Sequence, residues 1–215
     1  MIQVWDLALR LFHWLLALTV ILAIVTGKMG GSYLYWHTDI GIFVLSLLVF
    51  RIFWGFLGSK NALFRQFFPS IARLRAFFSS QWLGNGHSPI AGLSTIIMLS
   101  LLLAQVVFGL FSINEDMDFT APLSSLVSSS QSGVISDWHD QLSILIIFMV
   151  TAHIIAIIFY LVVKNDNLLL PMITGKKKNV GKKYSKQCIN VDRKKLLISL
   201  VVPMLVFITL KIVSY

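Results

Sequence analysis

The chain has very little cysteine and little charge. Cys188 is the single cysteine among 215 residues, so no disulfide forms within the chain. Charged residues make up 13% of the sequence, whereas hydrophobic residues make up 57%. Soluble globular domains have a charged fraction of about 25%. The composition therefore excludes an ordinary soluble domain and indicates an integral membrane protein.

Five apolar segments are each long enough to cross a bilayer, which requires about 20 residues. They cover residues 9–27, 37–57, 89–111, 137–163 and 196–214. The first contains His13 and is not followed by a small-residue cleavage site, so we interpret it as a retained helix rather than a secretory signal. The sequence predicts an all-α protein with five transmembrane helices.

The distribution of charge predicts the orientation of these helices. The connection after the second segment has no acidic residue and carries Lys60, Arg65, Arg73 and Arg75. The connection after the third has no basic residue and carries Glu115, Asp116 and Asp118. By the positive-inside rule, the first connection, the lysine-rich stretch 164–195 and the N-terminus are cytoplasmic. The net charge of +9 then reflects topology and attraction to anionic lipid, not nucleic-acid binding.

Two connecting stretches have distinctive compositions. FRQFFPSIARLRAFFSSQWL, residues 64–83, alternates aromatic and basic residues, which predicts a short helix in the membrane interface or a simple surface connector. SSLVSSSQSG, residues 124–133, predicts a flexible polar loop on the outer face.

Four histidines fall at two depths of the predicted bundle. His139 and His153 are fourteen residues apart in the fourth segment, so they share a helical face and lie about 21 Å apart along the axis. The topology places His37 at the outer level with His139, and His13 at the inner level with His153. A lone membrane histidine is often a hydrogen-bonded polar residue, but two matched pairs favour axial ligands of two haems. Without a Cys-x-x-Cys-His motif, each haem is b-type.

Cations near the inner level are candidate partners for haem propionates. Arg51 is fourteen residues after His37, on the same helical face, and Arg10 is three residues before His13. An arginine is well suited to bind a carboxylate group. The alternative for Arg51 is a side chain that extends to the cytoplasmic surface.

Three further residues are candidates for the haem environment. His87 lies at the cytoplasmic start of the third segment, where it either binds a propionate or a quinone carbonyl or caps the helix. Gly41 and Gly109 leave room for a flat macrocycle, although small residues also serve plain helix contacts in membranes.

Four stretches carry a family resemblance, namely WDLALRLFHWLLAL, HTDIGIFVLSLLVFRIFWGFLGS, GHSPIAGL and HDQLSILIIFMVTAHIIAIIFYLVVKNDNLLLPMITGKKK. They resemble the bacterial cytochrome b561 and nickel-iron hydrogenase cytochrome b superfamily. The resemblance covers about residues 4–178. It implies a four-helix transmembrane bundle with two b haems, ligated by His13, His37, His139 and His153. It also implies electron transfer between the quinone pool and a redox partner.

The expected organisation is a dihaem domain over residues 1–178, a basic cytoplasmic linker over 179–195 and a C-terminal transmembrane helix over 196–215. The expected function is electron transfer in the cytoplasmic membrane between quinone and a periplasmic partner such as a c-type cytochrome. One alternative is a self-contained superoxide:quinone oxidoreductase, which some relatives exemplify. Another is a metal-ion transporter, which the near absence of carboxylates inside the apolar segments disfavours.

Overall fold

A computed structural model describes residues 1–68, 70–79, 88–177 and 191–214, apart from the side chain of Glu115. Within these residues, five helices are long and apolar enough to cross a membrane. They are α1 (Leu7–Met29), α2 (Tyr33–Leu57), α5 (Pro89–Phe111), α6 (Ser129–Val162) and α8 (Arg193–Val213). The predictions of an all-α fold and of five spanning helices are confirmed.

Short elements connect the long helices. They are β1 (Ile2–Gln3), α3 (Phe64–Phe67), α4 (Ile71–Phe78), β2 (Ile113–Asn114), β3 (Phe119–Thr120), α7 (Leu169–Thr174) and β4 (Lys176–Lys177). Strand β1 pairs antiparallel with β4, and β2 pairs antiparallel with β3. Because β1 precedes α1 and β4 follows α6, the N-terminus and the segment after α6 lie at the same end of the bundle. The predicted topology requires this arrangement.

Helix α6 begins earlier than the sequence predicts. The prediction began at residue 137, whereas the helix begins at Ser129. Ser128 and Gln131 form a capping box: the Ser128 hydroxyl accepts from the Gln131 amide, and the Gln131 side chain accepts from the Ser128 amide. The predicted flexible loop was therefore wrong in part, since its second half forms the first turn of α6. His139 lies ten residues into the helix, not at its start.

The aromatic and basic stretch after α2 forms two short helices, α3 and α4, instead of one. Arg73 lies on α4 and donates to the carbonyl oxygens of Gln66 and Phe68, over 3.1 and 3.2 Å. Phe68, Ile71 and Phe78 are exposed, as expected for side chains that enter a lipid interface. Residues 69 and 80–83 of this stretch lie outside the described residues.

Helix α2 packs against three of the other long helices, namely α1, α5 and α8, while α6 packs mainly on α5. Buried apolar side chains of α1, α2, α5 and α6 form the main core, with Ile42 fully buried at its centre. The fifth spanning helix, α8, contacts α2 through Phe207 and Phe43, whose ring centroids are 6.2 Å apart. Helix α8 is therefore an integrated part of the bundle.

Candidate functional site

His37 on α2 and His139 on α6 meet in the half of the bundle that the sequence assigns to the outer side. Their ring centroids are 6.0 Å apart, and the ring planes are 89° from parallel. These helices belong to different hairpins, so the pairing depends on the packing of the whole bundle. The structure thus brings together the two histidines assigned to the outer level.

Backbone carbonyls fix the protonation of both rings. His37 Nδ1 lies 2.8 Å from the carbonyl oxygen of Ala23, and His139 Nδ1 lies 2.9 Å from that of Gln105. A carbonyl oxygen only accepts, so each Nδ1 carries the proton and donates it. In a neutral imidazole this leaves a lone pair on Nε2, which is the arrangement of metal-ligating histidines. The two rings are therefore suited to bind a metal through Nε2.

The Gln105 side chain also contacts this pair. Its Nε2 lies 3.2 Å from His139 Nε2, and the amide donates to that nitrogen lone pair. Gln105 Oε1 is buried and has no hydrogen-bond partner among the described residues. A buried polar atom without a partner is costly, so this position is a candidate contact for a bound polar group. The sequence interpretation did not include Gln105.

A cavity lined by residues of α1, α2, α5 and α6 adjoins His37 and His139. Its walls are mainly apolar and include Val20, Ile24, Val106 and Ile146. Its outer rim carries polar and charged residues, namely Lys28, Asn114, Ser136 and Asp140. An apolar interior with a polar rim suits a flat apolar group that carries charged substituents at one edge.

The two glycines singled out in the sequence have different surroundings. A Cβ added at Gly41 would meet no atom within 4 Å, and this residue lines the cavity. A Cβ added at Gly109 would instead meet the ring of His139. Gly41 thus leaves open space, whereas Gly109 makes room for a histidine rather than directly for a macrocycle.

The inner histidines are on α1 and α6. His13 and His153 are both half-buried. His13 Nδ1 is buried and has no hydrogen-bond partner in the described part of the chain. The pairing of His13 with His153 at one haem stays a prediction. Along α1, His13 is ten residues from Ala23, so it lies about 15 Å below the carbonyl that binds His37.

Arg51 is buried within the protein, with 3% of its surface exposed. Its Nη1 donates to the carbonyl oxygen of Ala62 over 3.1 Å, and its guanidinium lies 4.7 Å from the ring centre of Phe64. The side chain therefore does not extend to the surface of the bundle, contrary to the alternative stated for it from the sequence. A role at a haem propionate stays a prediction.

Arg10 contacts the segment that follows α6. Its Nη1 donates to the carbonyl oxygen of Ile173 over 2.5 Å, while its Nε is buried without a hydrogen-bond partner among the described residues. One donor thus remains for a nearby acidic group. Its predicted role as a propionate partner stays a prediction. His87, the fifth histidine, lies outside the described residues.

Asp6 was missed by the sequence interpretation. It is 1% exposed, and its Oδ1 accepts from the Leu9 amide over 2.7 Å at the start of α1. Its Oδ2 accepts from Ser59 and Trp54. An acidic residue next to an apolar segment could have been read as a helix cap. Nothing in the sequence indicates its contacts with the end of α2.

Comparisons with known proteins identify a family. Residues 4–175 match the model of a family described as prokaryotic cytochrome b561. The chain belongs to this family. It is accordingly a multi-pass membrane protein of the b-type cytochrome class that takes part in electron transfer, and the family implies haem b as cofactor. No solved structure matches the chain.

Two curated relatives have the same name. The "Probable Ni/Fe-hydrogenase 1 B-type cytochrome subunit" of Escherichia coli strain K12 is 22% identical over an alignment 210 positions long; the match covers 80% of this chain and 88% of the relative. The protein of that name from Escherichia coli O157:H7 matches to the same extent.

The residues present fit a haem b at the outer site. Two imidazoles from facing helices lie beside an apolar cavity, and both Nδ1 atoms are held by carbonyls. The Nε2 lone pair of His139, which accepts from the Gln105 amide here, would bind iron in place of that amide. At the inner site, the unpartnered Nδ1 of His13 and Nε of Arg10 are consistent with polar contacts to a bound group.

Proposed function

We propose that this protein is a dihaem b-type cytochrome that transfers electrons between the quinone pool and a periplasmic redox partner such as a c-type cytochrome. His37 and His139 hold the outer haem, and His13 and His153 hold the inner one. The observation that carries the proposal is the outer pair, with centroids 6.0 Å apart and both Nδ1 atoms bound to carbonyls.

Bound haem b supplies reversible one-electron oxidation and reduction. The side chains of this protein set its position and environment. The backbone carbonyls of Ala23 and Gln105 orient the outer imidazoles and raise the basicity of Nε2. Arg10 and Arg51 provide positive charge near the inner level, where each is a candidate partner for a propionate.

The proposed orientation has the N-terminus in the cytoplasm of a bacterium and α8 ending on the periplasmic side. Residues 1–178 form the dihaem domain, 179–195 a basic linker, and 196–215 a C-terminal membrane helix; the last three residues of the linker already belong to α8, which begins at Arg193. Residues 178–190 lie outside the described residues. Quinone reacts near the inner haem, where His87 is a further candidate contact, and the basic connections bind anionic lipid.

The name of the Escherichia coli relatives supports a place in a larger complex. Those proteins are described as subunits of a nickel-iron hydrogenase. By analogy, the redox partner of this chain is a protein that docks at the outer face and exchanges single electrons with the outer haem. A hydrogenase subunit is one candidate for it.

The charge of the outer face disfavours the superoxide alternative. Asp116, Asp118, Asp137 and Asp140 lie at this end, and Lys211 is paired with Asp39. An acidic surface repels an anionic substrate and attracts a cationic protein.

Electron transfer across a membrane tests the proposal directly. Purified protein is inserted into liposomes that contain a quinol, and a cationic c-type cytochrome is added on the face that carries the acidic loop. We expect the quinol to reduce the haems and the added cytochrome to reoxidise them. Haems that stay oxidised with every quinol tested would contradict the proposed function.

A further inference from the structure

Two glycines lie directly against the rings of His37 and His139. A Cβ added at Gly27 would lie 3.0 Å from both Cε1 and Nδ1 of His37. A Cβ added at Gly109 would lie 2.8 Å from Cε1 and 3.2 Å from Nδ1 of His139. Real Cβ atoms essentially never come closer than 3.0 Å, so an alanine at Gly109 forces the ring or the helix to move.

The hydrogen bonds repeat the same relationship in both hairpins. Each imidazole donates to the carbonyl of the residue four positions before its glycine, namely Ala23 before Gly27 on α1 and Gln105 before Gly109 on α5. In a helix, that carbonyl also accepts from the glycine amide. One helix turn therefore presents to the ring both a hydrogen-bond acceptor and a glycine, whose missing side chain lets the ring lie against the backbone.

Each ring is thus constrained in two ways. The Nδ1 hydrogen bond fixes the direction of one ring edge, and the glycine surface limits the tilt of the ring about that bond. A hydrogen bond alone leaves this tilt free. The two constraints together hold the rings 89° from parallel in the structure.

We propose that Gly27 and Gly109 are positioning residues that hold the outer imidazoles perpendicular, so that one haem iron is ligated by crossed ring planes. This inference rests on the proposed function, because it assumes that His37 and His139 bind the same iron. It adds a role for two residues that touch neither iron nor substrate, and it predicts the electronic character of the outer haem.

Perpendicular ligand planes have a spectroscopic consequence. Each imidazole interacts most strongly with the iron dπ orbital that lies perpendicular to its own plane. Two crossed imidazoles act equally on two dπ orbitals and keep them nearly equal in energy, whereas parallel ligands split them. A low-spin ferric haem with nearly equal dπ orbitals gives a strongly anisotropic electron paramagnetic resonance signal with a large highest g value.

The first experiment compares this signal in the oxidised wild type and in glycine variants of the holoprotein. We expect Gly109→Ala to abolish the anisotropic signal or shift its highest g value downward, and Gly27→Ala to produce a smaller shift. Gly133→Ala is the matched control on α6, because a Cβ there meets no atom within 4 Å. We expect it to keep the wild-type signal.

The second experiment needs no haem. Gly109→Ala is made in the wild type and in a His139→Ala background, and the melting temperature is measured in each. With His139 present, the substitution should lower the melting temperature. Without it, the substitution should leave the melting temperature unchanged or raise it, because alanine is the better helix former. The same comparison is made for Gly27→Ala, in the wild type and in a His37→Ala background. A Cβ at Gly27 makes a milder contact than one at Gly109, so we expect Gly27→Ala to fold even if Gly109→Ala does not.

The outcomes separate this inference from the proposed function. A wild type that binds no haem b contradicts the proposed function, while the melting comparison still tests the glycine contacts. A wild type that binds haem, but whose outer signal is the same in both glycine variants as in Gly133→Ala, overturns the positioning role and leaves the function intact. Equal melting shifts in the two backgrounds also overturn it.

Discussion

Trp54 donates a hydrogen bond from its indole nitrogen to Oδ2 of Asp6 over 3.3 Å, and both side chains are buried. The same carboxylate accepts from Ser59 and from the amide of Leu9. Asp6 therefore joins the beginning of α1 to the end of α2 and to the segment that follows it. This connection holds α1, which carries His13, against α2 near the inner level.

Asp6→Ala should destabilise the protein strongly. It removes a helix cap, which is worth about 1 kcal/mol, and leaves buried donors unsatisfied at about 1–3 kcal/mol. Asp192→Ala is a suitable control, since Asp192 caps α8 through the Lys194 amide and is exposed. We expect the control to lose only the stabilisation that one helix cap provides. The stability of each variant is measured as loss of helical signal in a thermal melt. Equal costs for the two variants would show that the Trp54 and Ser59 contacts contribute nothing.

The inner histidine pair makes a prediction about haem content. His13→Ala and His153→Ala should each remove the inner haem and leave much of the outer one, because each removes one axial ligand of the same iron. The haem b content per chain should fall by about half. Equal loss from both sites in either variant, with the helical content intact, would contradict the pairing.

Arg51 should raise the reduction potential of the inner haem. Because its guanidinium is buried, its positive charge is weakly screened and destabilises the oxidised, more cationic haem. Arg51→Gln should therefore lower the inner potential in a redox titration. Lys60→Gln, which removes a charge from an exposed residue nearby, should have a smaller effect. If neither haem potential changes in Arg51→Gln, Arg51 has no role beyond its contacts with Ala62 and Phe64.

The acidic outer loop should steer a cationic partner. Neutralising Glu115, Asp116 and Asp118 together as amides should slow electron transfer to a basic c-type cytochrome and flatten its salt dependence, since screening acts over about 10 Å at 0.1 M salt. Asp118 has a φ of 47°, a region that asparagine also adopts, so this substitution preserves the backbone. Reduction by quinol should not change. Unaltered transfer rates and salt dependence would favour the alternative of a self-contained superoxide:quinone oxidoreductase.

Much of the architecture follows from the sequence, because apolar length and charge asymmetry are properties of single segments. The five spans were predicted on this basis, as was the outer pair of His37 and His139. His37 and His139 meet in the structure because helical rise places each of them at the same depth of the bundle. Their role as haem ligands stays a prediction. The start of α6 was missed, because its first turn is rich in serine and a capping box is a short signal.

The missed features depend on contacts between helices. The Asp6 carboxylate is buried because the segment after α2 folds back on it. Gly109 looked like space for a macrocycle, yet its neighbour is His139 on another helix. Gly27 carried no signal of its own, because its role depends on how the α1–α2 turn directs His37 back against α1.

The central claim is that this chain holds two b haems, each between one pair of histidines. The most direct measurement is the haem b content per chain of purified wild type, His37→Ala, His139→Ala and the double variant. The account predicts two haems in the wild type and one in each of the three variants, because His37 and His139 serve the same iron. A colourless wild type, or a double variant that loses both haems while its helices remain folded, would contradict it.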